Sequence, residues 1–161
     1  MPEQSATLNE ISDMLAECDL FRGFAYAEIS SAARYFNLIE IDQGGAIFHE
    51  GEAGAFMCIV NSGKVSILKT DHNGENVGIA SLPAGRTFGE MAVLDGERRS
   101  ATCVAASECT LLTLSKDSLD RMLLDVPATA AKVVRAVAVS LSKRLRMADG
   151  KLVDRRSNNA Y

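Results

Sequence analysis

Ten of the twelve glycines in this chain of 161 residues fall between Gly44 and Gly96. No other feature limits the fold as much. Between these glycines lie short apolar runs: LIEI (38–41), AIF (46–48), AFMCIV (55–60), KVSILK (64–69), VGIASL (77–82), ATCVA (101–105) and CTLLTL (109–114). Each run is short for a helix and suited to a strand. Several alternate with period two, as at Val65/Ile67 and Val77/Ile79, which sends successive side chains to opposite faces of a sheet. Many short strands with glycine-containing turns indicate an all-β barrel or jelly roll. NSGK (61–64) and DHNGE (71–75) read as hairpin connections.

The periodicity changes on either side. Leu8, Ile11 and Leu15, then Ile29, Ala32, Ala33 and Phe36, keep the three- and four-residue spacing of helices, with Gly23 between them. After the strands, Ser115 is placed to cap a helix through Leu124, and Pro127 suits the first turn of a longer one. The expected class is therefore mainly β with flanking helices. It divides into an N-terminal helical segment (1–36), a β jelly-roll barrel (37–115), a C-terminal helix pair (116–153) and a polar tail (154–161). In the long helix, Ala130, Val134, Val137, Leu141, Leu145, Ala148 and Leu152 form one apolar stripe. The stripe suits packing on the barrel or pairing with a second copy.

Composition narrows the functional classes. At 47% hydrophobic and 24% charged, the chain can bury a real core. A net charge of −4 gives no general attraction for nucleic acid. Its distribution is uneven: residues 1–31 hold six acids and one base, residues 128–156 eight bases and two acids. The basic end reads as a solvated helix face. The run Ala128–Leu141 is interrupted by Lys132 and Arg135 and is too short to span a bilayer, and no secretory signal pattern opens the chain. Cys18, Cys58, Cys103 and Cys109 form no C-x-x-C pair, which fits a reducing, cytoplasmic compartment. His49 and His72 are the only histidines and form no H-x-H or other cluster, whereas a metal-dependent jelly-roll enzyme would need two or three converging with a carboxylate, and no nucleophile–histidine arrangement stands out.

FGEMAVLDGERRSAT (88–102) carries the chemistry. A helix of one or two turns inside a β region exposes backbone N–H groups with no helical partner, which suits an anion. Gly89 permits close backbone approach to a ligand. Glu90 would repel a phosphate unless it faces hydroxyl donors, such as those of a ribose, because an ionised carboxylate only accepts hydrogen bonds. Arg99 presents a planar fork suited to phosphate oxygens, and Ser100 adds a hydroxyl. Together these are parts for one sugar and one phosphate held close together.

The segment resembles the phosphate-binding cassette of the cyclic-nucleotide-binding domain family, through Phe88, Gly89, Glu90, Ala92, Arg99, Ser100, Ala101 and Thr102. LFRGF (20–24), IFHEGE (47–52) and IVNSGKVSIL (59–68) extend the likeness over residues 15–150. The resemblance implies a non-enzymatic sensor with no cofactor beyond its ligand, a cyclic nucleotide, cAMP ahead of cGMP or cyclic di-GMP. It implies binding through Gly89, Glu90, Met91, Ala92, Arg99, Ser100 and Ala101. Glu90 would take the ribose 2′-hydroxyl, the Met91 and Ala92 N–H groups the phosphate, Arg99 its equatorial oxygens, and Ser100 and Ala101 would complete the cradle. Arg98 is expected to face solvent.

In the family the long C-terminal helix closes over the base. Where catabolite activator proteins carry a Thr-Ser pair, this chain has Ala148-Asp149, which leaves base selectivity open, with Arg144 or Arg146 as the lid residue. The expected partners are a second copy through this helix and an unidentified protein effector. With no helix-turn-helix after the long helix, specific DNA binding is not expected, nor is a membrane partner. A ligand-independent scaffold is the alternative from another class.

Overall fold

The computed structural model describes residues 3–159. Strand β1 (Glu3–Gln4) leads into helix α1 (Leu8–Ala16), a 3-10 turn (Asp19–Phe21) and α2 (Tyr26–Ala33). The β region holds β2 (Asn37–Ile41), β3 (Ala46–Phe48), β4 (Phe56–Ser62), β5 (Val65–Thr70), β6 (Asn76–Leu82) and β7 (Thr87–Phe88). Helix α3 (Glu90–Asp95) interrupts it before β8 (Thr102–Ala105) and β9 (Cys109–Ser115). Helices α4 (Lys116–Asp125) and α5 (Pro127–Asn159) follow.

The strands form two antiparallel sheets, ordered β1-β2-β9-β4-β7 and β3-β8-β5-β6. No strand pairing joins the two among the described residues, so of the expected β jelly-roll barrel the mainly β body with flanking helices is present, as two sheets that are not closed into a barrel. Strand β7, at one edge of the first sheet, runs for two residues before Gly89 turns the chain into α3. The two expected hairpins also differ. DHNGE joins paired strands β5 and β6, and Asp71 Oδ1 accepts from the N–H groups of Asn73 (2.9 Å) and Glu75 (3.0 Å). NSGK instead carries the chain from β4 in one sheet to β5 in the other. It is tied to the β8–β9 connection by Ala106 N–H donating to Lys64 O at 2.9 Å.

Two cores lie back to back. Period two on β4 divides them: Cys58 and Val60 face the second sheet, Met57 and Ile59 face the helices. The inter-sheet core includes Ile39, Ile47, Phe48, Val65, Phe88 and Cys103. The helix-side core packs Ile11, Leu15, Phe21, Ile29 and Phe36 against Leu112, Leu114 and the start of α5. Thr7 caps α1 reciprocally with Glu10, and Ser115 Oγ accepts from Ser118 N–H at the start of α4.

Helix α5 is about 50 Å long at 1.5 Å per residue. Ala130, Val133 and Val137 are buried, with Val134 and Leu141 partly so. Val133 thus takes the inward place that the sequence stripe gave Val134; the two point about 100° apart around a helix. Farther on, Leu145, Met147, Leu152 and Val153 are each at least 57% exposed. The stripe is therefore two surfaces, one packed on this chain and one open. At the α4–α5 junction, Tyr35 Oη donates to Asp125 Oδ2 at 2.9 Å, and Lys132 pairs with Glu28 at 2.9 Å.

Candidate functional site

Gly89 sits in the left-handed conformation (φ 71°) as β7 ends and α3 begins. A Cβ there would lie 2.8 Å from Arg99 Nη1 and 3.1 Å from the Phe48 ring, so both backbone angle and packing require glycine. In α3, Glu90, Ala92 and Val93 are buried, while Met91 and Leu94 are exposed. A second left-handed glycine, Gly96, ends the helix.

Arg99 returns beneath this helix. It is 5% exposed. Its Nη1 donates to Gly89 O (3.1 Å) and its Nη2 to Phe56 O (2.7 Å), while Nε has no acceptor. The guanidinium lies over the Phe48 ring at 3.8 Å and the Phe56 ring at 4.7 Å. Its backbone is clamped to the β3–β4 loop, with Arg99 N–H donating to Glu52 O (2.8 Å) and Gly51 N–H to Arg99 O (2.9 Å). No carboxylate lies within ion-pairing distance of Arg99 among the described residues, and burial works against its charge. Arg98 faces solvent and donates Nη1 to Gly51 O at 2.8 Å. Ser100 is exposed, its carbonyl accepting from Lys69 Nζ at 3.1 Å.

Glu90 has the opposite surroundings. It is 1% exposed, yet it has a counterion, Arg144 of α5, which also donates Nη2 to Thr87 O at 2.9 Å. Oε1 meets the arginine as an ion pair rather than in a well-directed hydrogen bond. Burial pushes the Glu90 carboxyl up from its ordinary range, and the positive charge of Arg144 acts against that rise.

These groups share one cavity of about 300 Å³. All seven residues named from the sequence, Gly89, Glu90, Met91, Ala92, Arg99, Ser100 and Ala101, line it. Ile67, Ile79, Ala80 and Phe88 add apolar wall, enough for a flat ring beside the charged end. Of the two lid candidates, Arg144 lines the cavity and Arg146 does not; Ala148 and Asp149 are exposed. The position of Arg144, three residues after Leu141 on the inward side of α5, was a usable signal for it. The stacking of Phe48 and Phe56 on Arg99 had no local signal, since Phe56 is 43 residues from Arg99 in sequence. All four cysteines are free and buried. Cys103 lines the cavity, and burial pushes its thiol up to about 12, away from the reactive thiolate. His49 is engaged with Glu52 at 2.9 Å.

The domain is thus a double sheet with a short helix beside a cavity, one wall of which holds a buried arginine and another a buried carboxylate. The model for the cyclic nucleotide-binding domain matches residues 38–125, and the chain belongs to that family. The cyclic AMP receptor protein of Thermus thermophilus is 36% identical over 130 residues, 81% of this chain and 58% of that protein. A CRP-like cAMP-activated global transcriptional regulator of Mycobacterium tuberculosis is 24% identical over 144 residues, 89% of this chain and 62% of that one. The chain thus spans about three-fifths of the length of these relatives. The crystal structure of a cyclic nucleotide-binding domain from Methylobacillus flagellatus superposes with a TM-score of 0.80 at 27% identity, covering 92% of this chain and 83% of that one. No helix among the described residues is long and apolar enough to cross a membrane.

Proposed function

We propose that this chain binds a 3′,5′-cyclic nucleotide, cAMP ahead of cGMP, in the cavity beneath α3, and acts as a non-enzymatic sensor. One observation carries this reading: Arg99 is a buried cation with no ion-pair partner among the described residues, lining a cavity with an apolar wall. A buried charge is costly until it is paired, so the site favours a ligand that brings one negative charge to that wall. The cyclic phosphate is that charge. Gly89 admits the ligand close to the backbone, and Met91 and Ala92 offer N–H groups. Ser100 and Ala101 complete the cradle. Glu90 accepts from the ribose 2′-hydroxyl, and the base lies against the apolar wall. The name of the Thermus thermophilus relative, a cyclic AMP receptor, supports adenine over guanine.

The signal in this reading is the position of α5. Arg144 reaches from α5 to Glu90, so a ligand that engages Glu90 also acts on the helix. The nucleotide can shift α5 only by its difference in affinity for two helix positions. The exposed half of α5, with Leu145, Met147, Leu152 and Val153, is then the surface for a second copy or a protein effector. Four free, buried thiols fit a reducing, cytoplasmic setting. Residues 1–161 are not read as a sequence-specific DNA binder, since basic side chains on α5 provide only salt-sensitive phosphate attraction. A sequence-preferring footprint at physiological salt would contradict that.

Calorimetry against cAMP, cGMP and cyclic di-GMP tests the reading. Saturable binding of one cyclic mononucleotide, tightest for cAMP, is expected. Absence of binding to all three would leave a ligand-independent scaffold.

A further inference from the structure

Arg99 lies in a slot built from residues outside the cassette. Phe48, at the end of β3, stacks 3.8 Å below the guanidinium carbon, and Phe56, at the start of β4, approaches to 4.7 Å. Phe48 is itself fixed by the rings of Phe56 (centroids 6.1 Å apart) and Phe88 (5.9 Å). The slot is closed by Gly54, where a Cβ would lie 2.4 Å from Ala92 Cβ and 3.1 Å from Arg99 Nε. Thus aromatic faces and backbone carbonyls contact the arginine, and among the described residues no carboxylate comes within ion-pairing distance; Glu52 acts on it only from farther away.

The choice of neighbours has a consequence for binding. A carboxylate partner would hold the guanidinium but neutralise it, and an incoming phosphate would then have to displace that partner. An aromatic face attracts a cation through its quadrupole and carries no net charge. It offsets part of the desolvation of Arg99 while leaving the charge available. The planar guanidinium stacks in this way, and a lysine ammonium does not match it.

We propose that Phe48 and Phe56 are positioning residues of the phosphate site: they orient the Arg99 guanidinium in place of a carboxylate and keep its charge free for the ligand. This rests on the reading of Arg99 as the phosphate partner. Phe56 is the better probe because it is only half-buried, so substitutions there disturb the core less than at Phe48.

The experiment is calorimetry of cAMP binding to the wild-type protein, Phe56→Leu, Phe56→Tyr and Phe48→Leu, with thermal unfolding of each. Phe56→Leu should weaken binding roughly 3- to 30-fold, the range of one cation–π contact. Phe56→Tyr, which keeps the aromatic face, should bind like the wild type. Unfolding without nucleotide supplies a second readout through a cycle of Phe56→Leu with Arg99→Met. The penalty of Phe56→Leu should shrink once the cation is gone. Wild-type affinity in Phe56→Leu and Phe48→Leu would overturn the proposal, as would equal loss in the Leu and Tyr variants or additive unfolding penalties. A wild-type protein that binds cAMP only through residues other than Arg99 would remove the functional reading itself, and a wild type that binds no cyclic nucleotide would do the same.

Discussion

The two walls of the cavity hold buried charges of opposite sign under opposite conditions. Glu90 is paired with Arg144 of α5, whereas Arg99 contacts aromatic rings and backbone carbonyls and has no ion-pair partner among the described residues. In the proposed reading this difference assigns the ligand's parts. At the Arg99 wall an anion gains a partner without displacing one. At the Glu90 wall the charge is already met, so a neutral hydroxyl donor is the group that fits. In that reading it also separates binding from signalling: Arg99 belongs to the double-sheet body, while Glu90 is tied to a helix whose second half is largely exposed.

The largest effect is expected at the unpaired wall. Arg99→Ala should weaken cyclic-nucleotide binding by roughly 2–5 kcal/mol, about 30-fold to several-thousand-fold, because the buried phosphate loses its charged partner. Equal calorimetric affinities of variant and wild type would erase the distinction between the walls. Next comes the ribose. A 2′-deoxy cyclic nucleotide should bind about 10- to 100-fold more weakly than its parent, because Glu90 is left with an unmet acceptor. In Glu90→Gln the two nucleotides should converge, and a persisting gap would assign the hydroxyl to another residue.

Breaking the paired wall should act on stability. Arg144→Met leaves Glu90 buried without its counterion and should cost about 1–2 kcal/mol by urea unfolding, between the values for exposed and buried pairs. Amide exchange should also accelerate in α5 after Leu141, where Arg144 is the described contact with the cavity. No change in either would make the pair ornamental.

The smallest effect is with pH. Burial raises the Glu90 pKa, so the native state binds this proton more tightly than the unfolded chain. The stability it contributes is present below the ordinary value of 4.5 and is lost as pH rises through the native pKa. The slope is at most about 1.4 kcal/mol per pH unit for one proton. In Glu90→Gln this loss should vanish, and in Arg144→Met it should reach to higher pH, since the opposing charge is gone. A slope unchanged by either substitution would place the titration elsewhere.

Much of this was legible in the chain. Glycine spacing and period-two runs gave the strands, and the cassette residues were placed around one cavity because they are close in sequence. What escaped was long-range. Nothing local distinguishes NSGK, which crosses between sheets, from DHNGE, which closes a hairpin; the choice depends on β9 and β7 taking both sides of β4. Val133 in place of Val134 is a rotation of α5 set by the surface it meets. The rings on Arg99 come from strands whose proximity only the finished fold defines.

A crystal structure with bound cAMP would decide between the walls directly. The phosphate should lie within hydrogen-bonding distance of the Arg99 guanidinium, with the ribose 2′-hydroxyl donating to Glu90. Arg144 and the exposed Arg98 are rival cations at the same cavity. A phosphate seated on either of them, with Arg99 still held only by its rings and carbonyls, would contradict the assignment of charge to the two walls.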